Sequence, residues 1–325
     1  MGLSLGLDTS CYTTSVAVVD EQGKLLFEHR QLLKVPVGER GLQQSMAVFQ
    51  HVQNLPVIIP RAFEHINSRE VKVIAASVKP RPLPGSYLPV FVVGEALGRS
   101  LAAALRVPFR GVSHQEGHLV AGLWSAGAVP RGDFLAVHLS GGTSEILLVK
   151  LQGDSWAIQK LGGTKDLHAG QLVDRVGVRL GLPFPAGPHL EKLAWEGEGK
   201  IRLHSCVRGY DFSFSGPEAQ ALRFIEAGTE PAEVAWAVEQ CIAKTLERVL
   251  RRAVEEYGLK DILIVGGVAA NEHLRRRLVA RLEHRAVGAR LYFARPEHTT
   301  DNAIGVALLG LGWGTAQIRQ EKSQY

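Results

Sequence analysis

The sequence predicts an α/β protein built as two lobes, and three observations carry that expectation. The chain has 325 residues, enough for two domains at roughly 150 residues each. Hydrophobic residues make up 46% and charged residues 21% of it, a globular balance that argues against disorder, collagen or coiled coil. One local plan, an apolar strand, a polar turn and a second strand, occurs at Leu3 and again at Phe134, about 130 residues later, with helices after each copy. The first lobe is expected over 1–130, completed by 299–325, and the second over 131–298.

The elements follow in order. Residues 3–7 are a short apolar strand, 8–14 a polar turn, 15–19 a second strand and 24–29 a third. Residues 43–66 read as a helix that Pro56 and Pro60 interrupt. The proline-rich stretch 79–89 is a loop, and 90–105, apolar or small all round, reads as a buried helix. The repeat begins with strands at 134–139 and 145–150 around the turn Ser140-Gly141-Gly142-Thr143-Ser144, and 156–159 can pair again. A helix over 231–257 opens on a first-turn proline and stops before Gly258. A buried strand at 262–265 leads through Gly266-Gly267 to a basic helix at 273–285. Thr299 to Asn302 read as a cap for a last helix at 303–311, and the polar residues past Ala316 as a frayed end.

Composition narrows the function. Cys11, Cys206 and Cys241 are too few and too scattered for a disulfide framework or a CxxC site, which points to the cytoplasm. Residues 1–10 lack the basic start and apolar run of a secretory leader. No apolar run approaches the roughly 18 residues of a membrane span, so no membrane partner is expected. A net charge of +5 is compatible with a nucleic-acid partner without specifying one.

Several residues can carry chemistry. His114 and His118 form an H-x-x-x-H pair, about 40° apart and one turn along a helix, so both imidazoles can reach one ion. Among 12 histidines such a pair can also be structural. It is not a metalloprotease motif, since Gln115 stands where the glutamate is needed and Glu116 lies about 200° round the helix from His114. Asp301 can supply an oxygen to the two imidazoles, a set suited to iron or zinc, or can simply cap a helix. The Ser140-to-Ser144 turn can form an anion nest or be an ordinary hairpin. Gly266-Gly267 lies where open α/β sheets hold ligands, though neither a G-x-G-x-x-G nor a P-loop motif is present. Asp8, at the end of the first strand, is a candidate site carboxylate or a turn residue. The helix carrying Arg275, Arg276, Arg277, Arg281 and Arg285 can meet a nucleic-acid backbone or be a solvated face. Cys206 and Cys241 read as packing residues.

The repeated strand-turn-strand, the Gly-Gly turn and the capped last helix resemble the actin, sugar-kinase and heat-shock ATPase superfamily. Within it, Ser113-His114-Gln115-Glu116-Gly117-His118-Leu119, Ser140-Gly141-Gly142, Phe212-Ser213-Phe214-Ser215-Gly216, Gly266-Gly267-Val268-Ala269-Ala270-Asn271 and Thr300-Asp301-Asn302-Ala303 resemble the tRNA threonylcarbamoyladenosine transferase family, formerly the sialoglycoprotease family. The matches run in family order along almost the whole chain. The resemblance implies two actin-like ATPase lobes with an interlobe cleft. It implies one divalent metal ion, iron or zinc, on His114, His118 and Asp301. It places an adenylate at Leu139, Ser140, Gly141, Gly142, Thr143, Asp174, Gly187, Gly267 and Asn271. The implied reaction moves a threonylcarbamoyl group from threonylcarbamoyl-adenylate to the tRNA adenosine next to the anticodon. The expected partners are tRNA and small proteins of the tRNA-modification machinery.

The chain departs from the family pattern. Its first turn reads Thr9-Ser10-Cys11-Tyr12-Thr13-Thr14, with Tyr12 and Thr13 where the family has two acids. Arg81 to Ser86 replace a Gly-Pro-Gly loop, Thr143 replaces a histidine and Glu218 a lysine. Asp8 and Glu145 are the remaining candidates for a catalytic carboxylate, and any transfer is expected to be slow. The alternatives are a nucleotide- and metal-binding regulatory or scaffold subunit and a small-molecule kinase or carbamoyltransferase of the same superfamily.

Overall fold

The computed structural model describes residues 2–10, 12–35, 42–130, 132–152 and 155–313. Cys11 and the expected frayed end past Ala316 lie outside the described residues. The chain divides into two compact units, Met1–Arg131 with Leu151–Ala157 and Thr300–Tyr325, and Gly132–Lys150 with Ile158–Thr299. Residues 151–157, placed with the second lobe by the sequence reading, group with the first unit.

The first unit opens with β1 (Leu3–Asp8), β2 (Thr13–Asp20) and β3 (Leu25–Leu32), then α1 (Gln44–His65), β4 (Val71–Lys79), α2 (Val90–Leu105), β5 (Phe109–Ser113) and α3 (His114–Ala126). Its sheet order is β3-β2-β1-β4-β5. β1 pairs antiparallel with β2 (Leu5 opposite Val18) and parallel with β4, which is parallel to β5. β1 and β2 are buried along their whole length, so both faces of the sheet are covered there, with small or polar residues (Ser4, Gly6, Asp8) alternating with the leucines of β1.

The second unit contains β6 (Phe134–Leu139), β7 (Ser144–Gln152), β8 (Ser155–Gly163), α4 (Ala169–Arg179), α5 (Gly187–Ala194), the hairpin β9 (Cys206–Arg208) and β10 (Asp211–Ser213), α6 (Ser215–Glu226), α7 (Pro231–Tyr257), β11 (Asp261–Val265), α8 (Glu272–Leu282) and β12 (Arg290–Phe293). Its sheet order is β12-β11-β6-β7-β8. β6 pairs antiparallel with β7 and parallel with β11, and β11 is parallel to β12. Strand for strand this repeats the first sheet, so the sequence duplication is a duplication of topology. α7 is the spine of the second core: Val234, Val238, Ile242, Leu246, Val249 and Leu250 are buried at helical spacing. Its left-handed stop at Gly258 (φ 67°) is the expected glycine C-cap.

α9 (Ile304–Gly310) returns to the first unit and is buried from Ile304 to Leu309. It packs against α3 on one face and β1 on another through glycines. A side-chain carbon on Gly305 would overlap the carbonyl oxygen of Gly117 in α3 and stand 2.9 Å from Ala121 N. One on Gly6 in β1 would stand 2.5 Å from Ala307 N and 2.7 Å from Ala303 O.

Three expectations change. α1 is not interrupted: Pro56 and Pro60 stand on its exposed side, where carbonyls left without a donor can turn to water. α2 is not buried all round: it buries Val90, Phe91, Gly94, Gly98 and Ala102 along one ridge and exposes Val92. The N-cap of the last helix is Ala303, one residue past the expected cap segment, and Asn302 Oδ1, inside that segment, accepts from Ile304 N at 3.1 Å. No described helix is long and apolar enough to cross a membrane.

Candidate functional site

In the first unit, parallel strands β1, β4 and β5 end side by side, and their carboxyl ends carry the candidate metal residues. β5 runs straight into α3 through a capping box. Ser113 Oγ accepts from Glu116 N at 3.2 Å, and Glu116 Oε2 accepts from Ser113 N at 2.8 Å. Glu116 is therefore the partner of the Ser113 cap, at a helical position about 200° round from His114. The box starts α3 at His114 and puts His118 one turn on, with ring centroids 4.4 Å apart. Asp301, just before α9, meets them: His118 Nε2 lies 3.1 Å and His114 Nε2 3.5 Å from Asp301 Oδ1.

His114 Nδ1 lies 2.8 Å from Asp8 Oδ2. Asp8 Oδ1 accepts from Ser77 Oγ at 2.6 Å and from Ser10 N at 2.9 Å. Asp8, 1% exposed at the end of β1, thus fixes the His114 ring with Nε2 facing Asp301. Both of its oxygens are engaged in these contacts. Ser77, whose role no local motif announced, reaches Asp8 because β4 runs parallel to β1.

Two carboxylates act on the His114 imidazole. Burial opposes charge on His114, but Asp8 and Asp301 outweigh it and push the imidazole up to about 10. Burial likewise opposes ionisation of Asp301, while hydrogen bonds from His114 and His118 hold its carboxyl well below the usual carboxylate range. One ligand atom from each of His114, His118 and Asp301 lies within 4.8 Å of the others. Two nitrogens, one carboxylate oxygen and a carboxylate bracing one imidazole from behind form a donor set that fits a divalent transition metal.

In the second unit, β6 and β11 run parallel and end together, with Val265 opposite His138. Their carboxyl ends bring the Ser140-to-Thr143 turn beside Gly266-Gly267, the position where open α/β sheets take ligands. Ser140 N donates to Thr143 O at 2.7 Å and closes the turn. A side-chain carbon on Gly141, Gly142 or Gly267 would meet nothing within 4 Å, and none of the three has a positive φ. Neither close packing nor a positive φ demands glycine there, so the backbone of this turn is open to close approach. Gly266 differs: its φ is 96° and an added carbon would meet the Leu139 carbonyl carbon at 2.6 Å.

The other expected nucleotide residues are partly engaged. Asp174 Oδ1 accepts from Ala186 N at 2.8 Å and holds the segment that opens α5 at Gly187, while burial pushes its carboxyl up against that hydrogen bond. Asn271 caps α8, accepting from Leu274 N at 2.8 Å, and donates from Nδ2 to Glu239 Oε1 at 2.7 Å. Glu239 was missed in the sequence reading, although an acid on the apolar face of α7 was a visible signal. Glu145 is 3% exposed and paired with Lys160 Nζ at 2.7 Å. Thr13 is buried in β2, whereas Tyr12 is 43% exposed.

The basic helix is α8, shorter than expected at Glu272–Leu282. Arg275 turns inward and donates to Ala269 O and Ala294 O, each at 2.6 Å.

Each sheet ends its parallel strands in a ligand-binding position, and the two sheets repeat one topology, an arrangement that defines an actin-like ATPase fold protein. HypF from T. kodakarensis superposes with a TM-score of 0.63 at 14% identity, covering 98% of this chain, which spans 48% of that one. A ROK family glucokinase from Streptomyces griseus superposes at 0.53 and 14% identity, covering 95% of this chain and 99% of that one. At such identities the likeness speaks for the fold. Sequence goes further: the TsaD family, tRNA N6-adenosine threonylcarbamoyltransferase, matches residues 36–308, and the chain belongs to that family. A tRNA N6-adenosine threonylcarbamoyltransferase of Archaeoglobus fulgidus is 31% identical over 95% of this chain and 90% of its own length. One of Prochlorococcus marinus (strain MIT 9301) is 33% identical over 94% and 89%.

Proposed function

We propose that this chain transfers a threonylcarbamoyl group from threonylcarbamoyl-adenylate to the tRNA adenosine beside the anticodon. The observation that carries the reading is the His114–His118–Asp301 cluster braced by Asp8, in a chain of this family. His114, His118 and Asp301 would hold iron or zinc, and the bound ion supplies Lewis-acid polarisation of a carbamoyl or phosphate oxygen. The protein's own part is binding and orientation. The open turn at Gly141 and Gly142 and the step at Gly267 admit the adenylate to the backbone. Asp174 and Asn271 hold the two segments, at Gly187 and at the start of α8, that flank it. Asp8 keeps His114 in one ring orientation.

A second reading has its own observation. Tyr12 and Thr13 stand in place of the family's acids, and Glu145 is paired to Lys160. This favours slow turnover, or a metal- and nucleotide-binding subunit of the tRNA-modification machinery acting in the cytoplasm. The test is mass spectrometry of nucleosides from tRNA incubated with the metal-loaded chain and threonylcarbamoyl-adenylate. Modified adenosine is expected from the native chain, more from Tyr12→Asp, and none from His114→Ala plus His118→Ala. No modified nucleoside from either the native chain or Tyr12→Asp overturns the transferase reading. Phosphorylation of a sugar panel from ATP would instead establish a kinase.

A further inference from the structure

The outward face of α8 is the motif that the proposed reaction leaves unused. Arg276, Arg277 and Arg281 stand on it. Arg276 donates from Nε to Glu272 at 3.0 Å, and Arg281 from Nε to Glu247 at 2.8 Å. Arg277 donates from Nη2 to the same Glu247 at 2.6 Å. Each of Arg276 and Arg281 thus uses the Nε edge and leaves its Nη groups for another acceptor. Burial, with Arg277 and Arg202 close enough to repel, holds the Lys244 ammonium below its ordinary range. Glu247, paired with Arg277 and Arg281, offsets part of that repulsion.

An aromatic surface adjoins these cations. Trp195 is 48% exposed, with the Arg276 guanidinium 4.8 Å from its ring and the His273 ring centroid 3.7 Å away. A shallow cavity of about 310 Å³ opens between Trp195 and the three arginines. At its lining, His273 Nε2 and Arg277 Nε are buried without a hydrogen-bond partner among the described residues. Guanidinium forks beside an aromatic face form the combination that single-stranded nucleic acid recognises, phosphates on the cations and a base on the ring.

We infer that the α8 groove, Trp195 with Arg276, Arg277 and Arg281, binds the phosphodiester backbone of the RNA substrate. The inference rests on the tRNA reading above and adds the surface that would hold the molecule. A protein that neutralises phosphates releases counterions, so each contact adds about 0.7 to 0.9 to the slope of log affinity against log salt. The groove lies entirely within the second unit, and its arginines do not belong to the metal cluster.

The experiment is fluorescence anisotropy of a labelled, unmodified tRNA transcript with the full chain between 50 and 200 mM salt, on the order of the range where the slope is read. Arg276→Gln plus Arg281→Gln should weaken binding at least tenfold and lower the slope by about 1.5. Trp195→Ala should weaken it by about tenfold through lost stacking. The charge-matched pair Arg69→Gln plus Arg99→Gln, exposed in the first unit, should change neither. Thermal melting confirms that each variant is folded, and a pair that fails to fold is replaced by the single variants Arg276→Gln and Arg281→Gln, each expected to lower the slope by about 0.7. Equal losses in the control pair, or none in the groove variants, overturn the inference while leaving the transferase reading intact. Loss of AMP affinity with tRNA binding unchanged would assign the groove to a mononucleotide and also overturn it. A native chain that binds no tRNA at all defeats the transferase reading itself.

Discussion

Gly305→Ala tests whether close packing sets the candidate metal geometry. Gly305 faces α3, whereas Ala303 and Ala307, about 200° away on α9, face β1. The added carbon would overlap the Gly117 carbonyl oxygen and lie 2.7 Å from the Gly117 carbonyl carbon. Ordinary contact begins near 3.4 Å and the carbonyl oxygen lies nearer still than the carbon, so α9 must retreat by more than about 0.7 Å. It cannot move directly away, because Gly6 of β1 already lies backbone to backbone against Ala303 and Ala307. Overpacking of this kind costs about 1–3 kcal/mol, and with backbone on both sides the upper end is expected. For a unit of this size that lowers Tm by about 6–12 °C. Asp301 lies three residues before Ile304, tied to the start of α9 through Asn302, so the shift also moves its carboxylate from His118, now 3.1 Å away. Displacements above about 0.5 Å loosen a constellation, and weaker metal retention should accompany the lower Tm. Differential scanning calorimetry and elemental analysis of the dialysed protein read the two effects. A Gly305→Ala protein with native Tm and native metal content would refute the reasoning.

Three further outcomes are expected. Asp8→Asn, which keeps the shape but removes the charge behind His114, should lower metal affinity about 10–100-fold in competition with a chelator, and an unchanged affinity would mean the brace does not matter. Burial pushes Glu239 from its ordinary 4.5 up to about 8, so the folded state binds this proton more tightly than the unfolded one. The sign follows: its contribution is fully present below pH 4.5 and is lost as pH rises through 8, at no more than about 1.4 kcal/mol per pH unit. Glu239→Gln keeps an acceptor for Asn271 and should flatten that stretch of the urea-unfolding profile; parallel profiles for both proteins would show that Glu239 carries no such linkage. Gly142→Val fills open space, so Tm should hold while calorimetric affinity for ATP or AMP falls, and unchanged affinity would favour the ordinary-hairpin reading.

Much of this protein was legible in order along the chain. Apolar periodicity marked α7 residue for residue, because its proline start and Gly258 stop are local signals. The strand-turn-strand repeat foretold two sheets of one topology, because each hairpin forms from neighbouring residues. The H-x-x-x-H spacing put His114 and His118 on one helix face for the same reason. Other features depended on residues far apart in sequence. Asp8, Ser77 and His114 meet only because β1, β4 and β5 lie parallel, a pairing no local motif announces. Glu145 looked available until β8 brought Lys160 against it. Pro56 and Pro60 looked like breaks until the tertiary fold placed them toward solvent, where a lost hydrogen bond is cheap. Local chemistry determined which elements form and where they stop. Burial and long-range pairing decided which polar groups remain free to react, because a buried carboxylate must find a partner and only the folded chain supplies one.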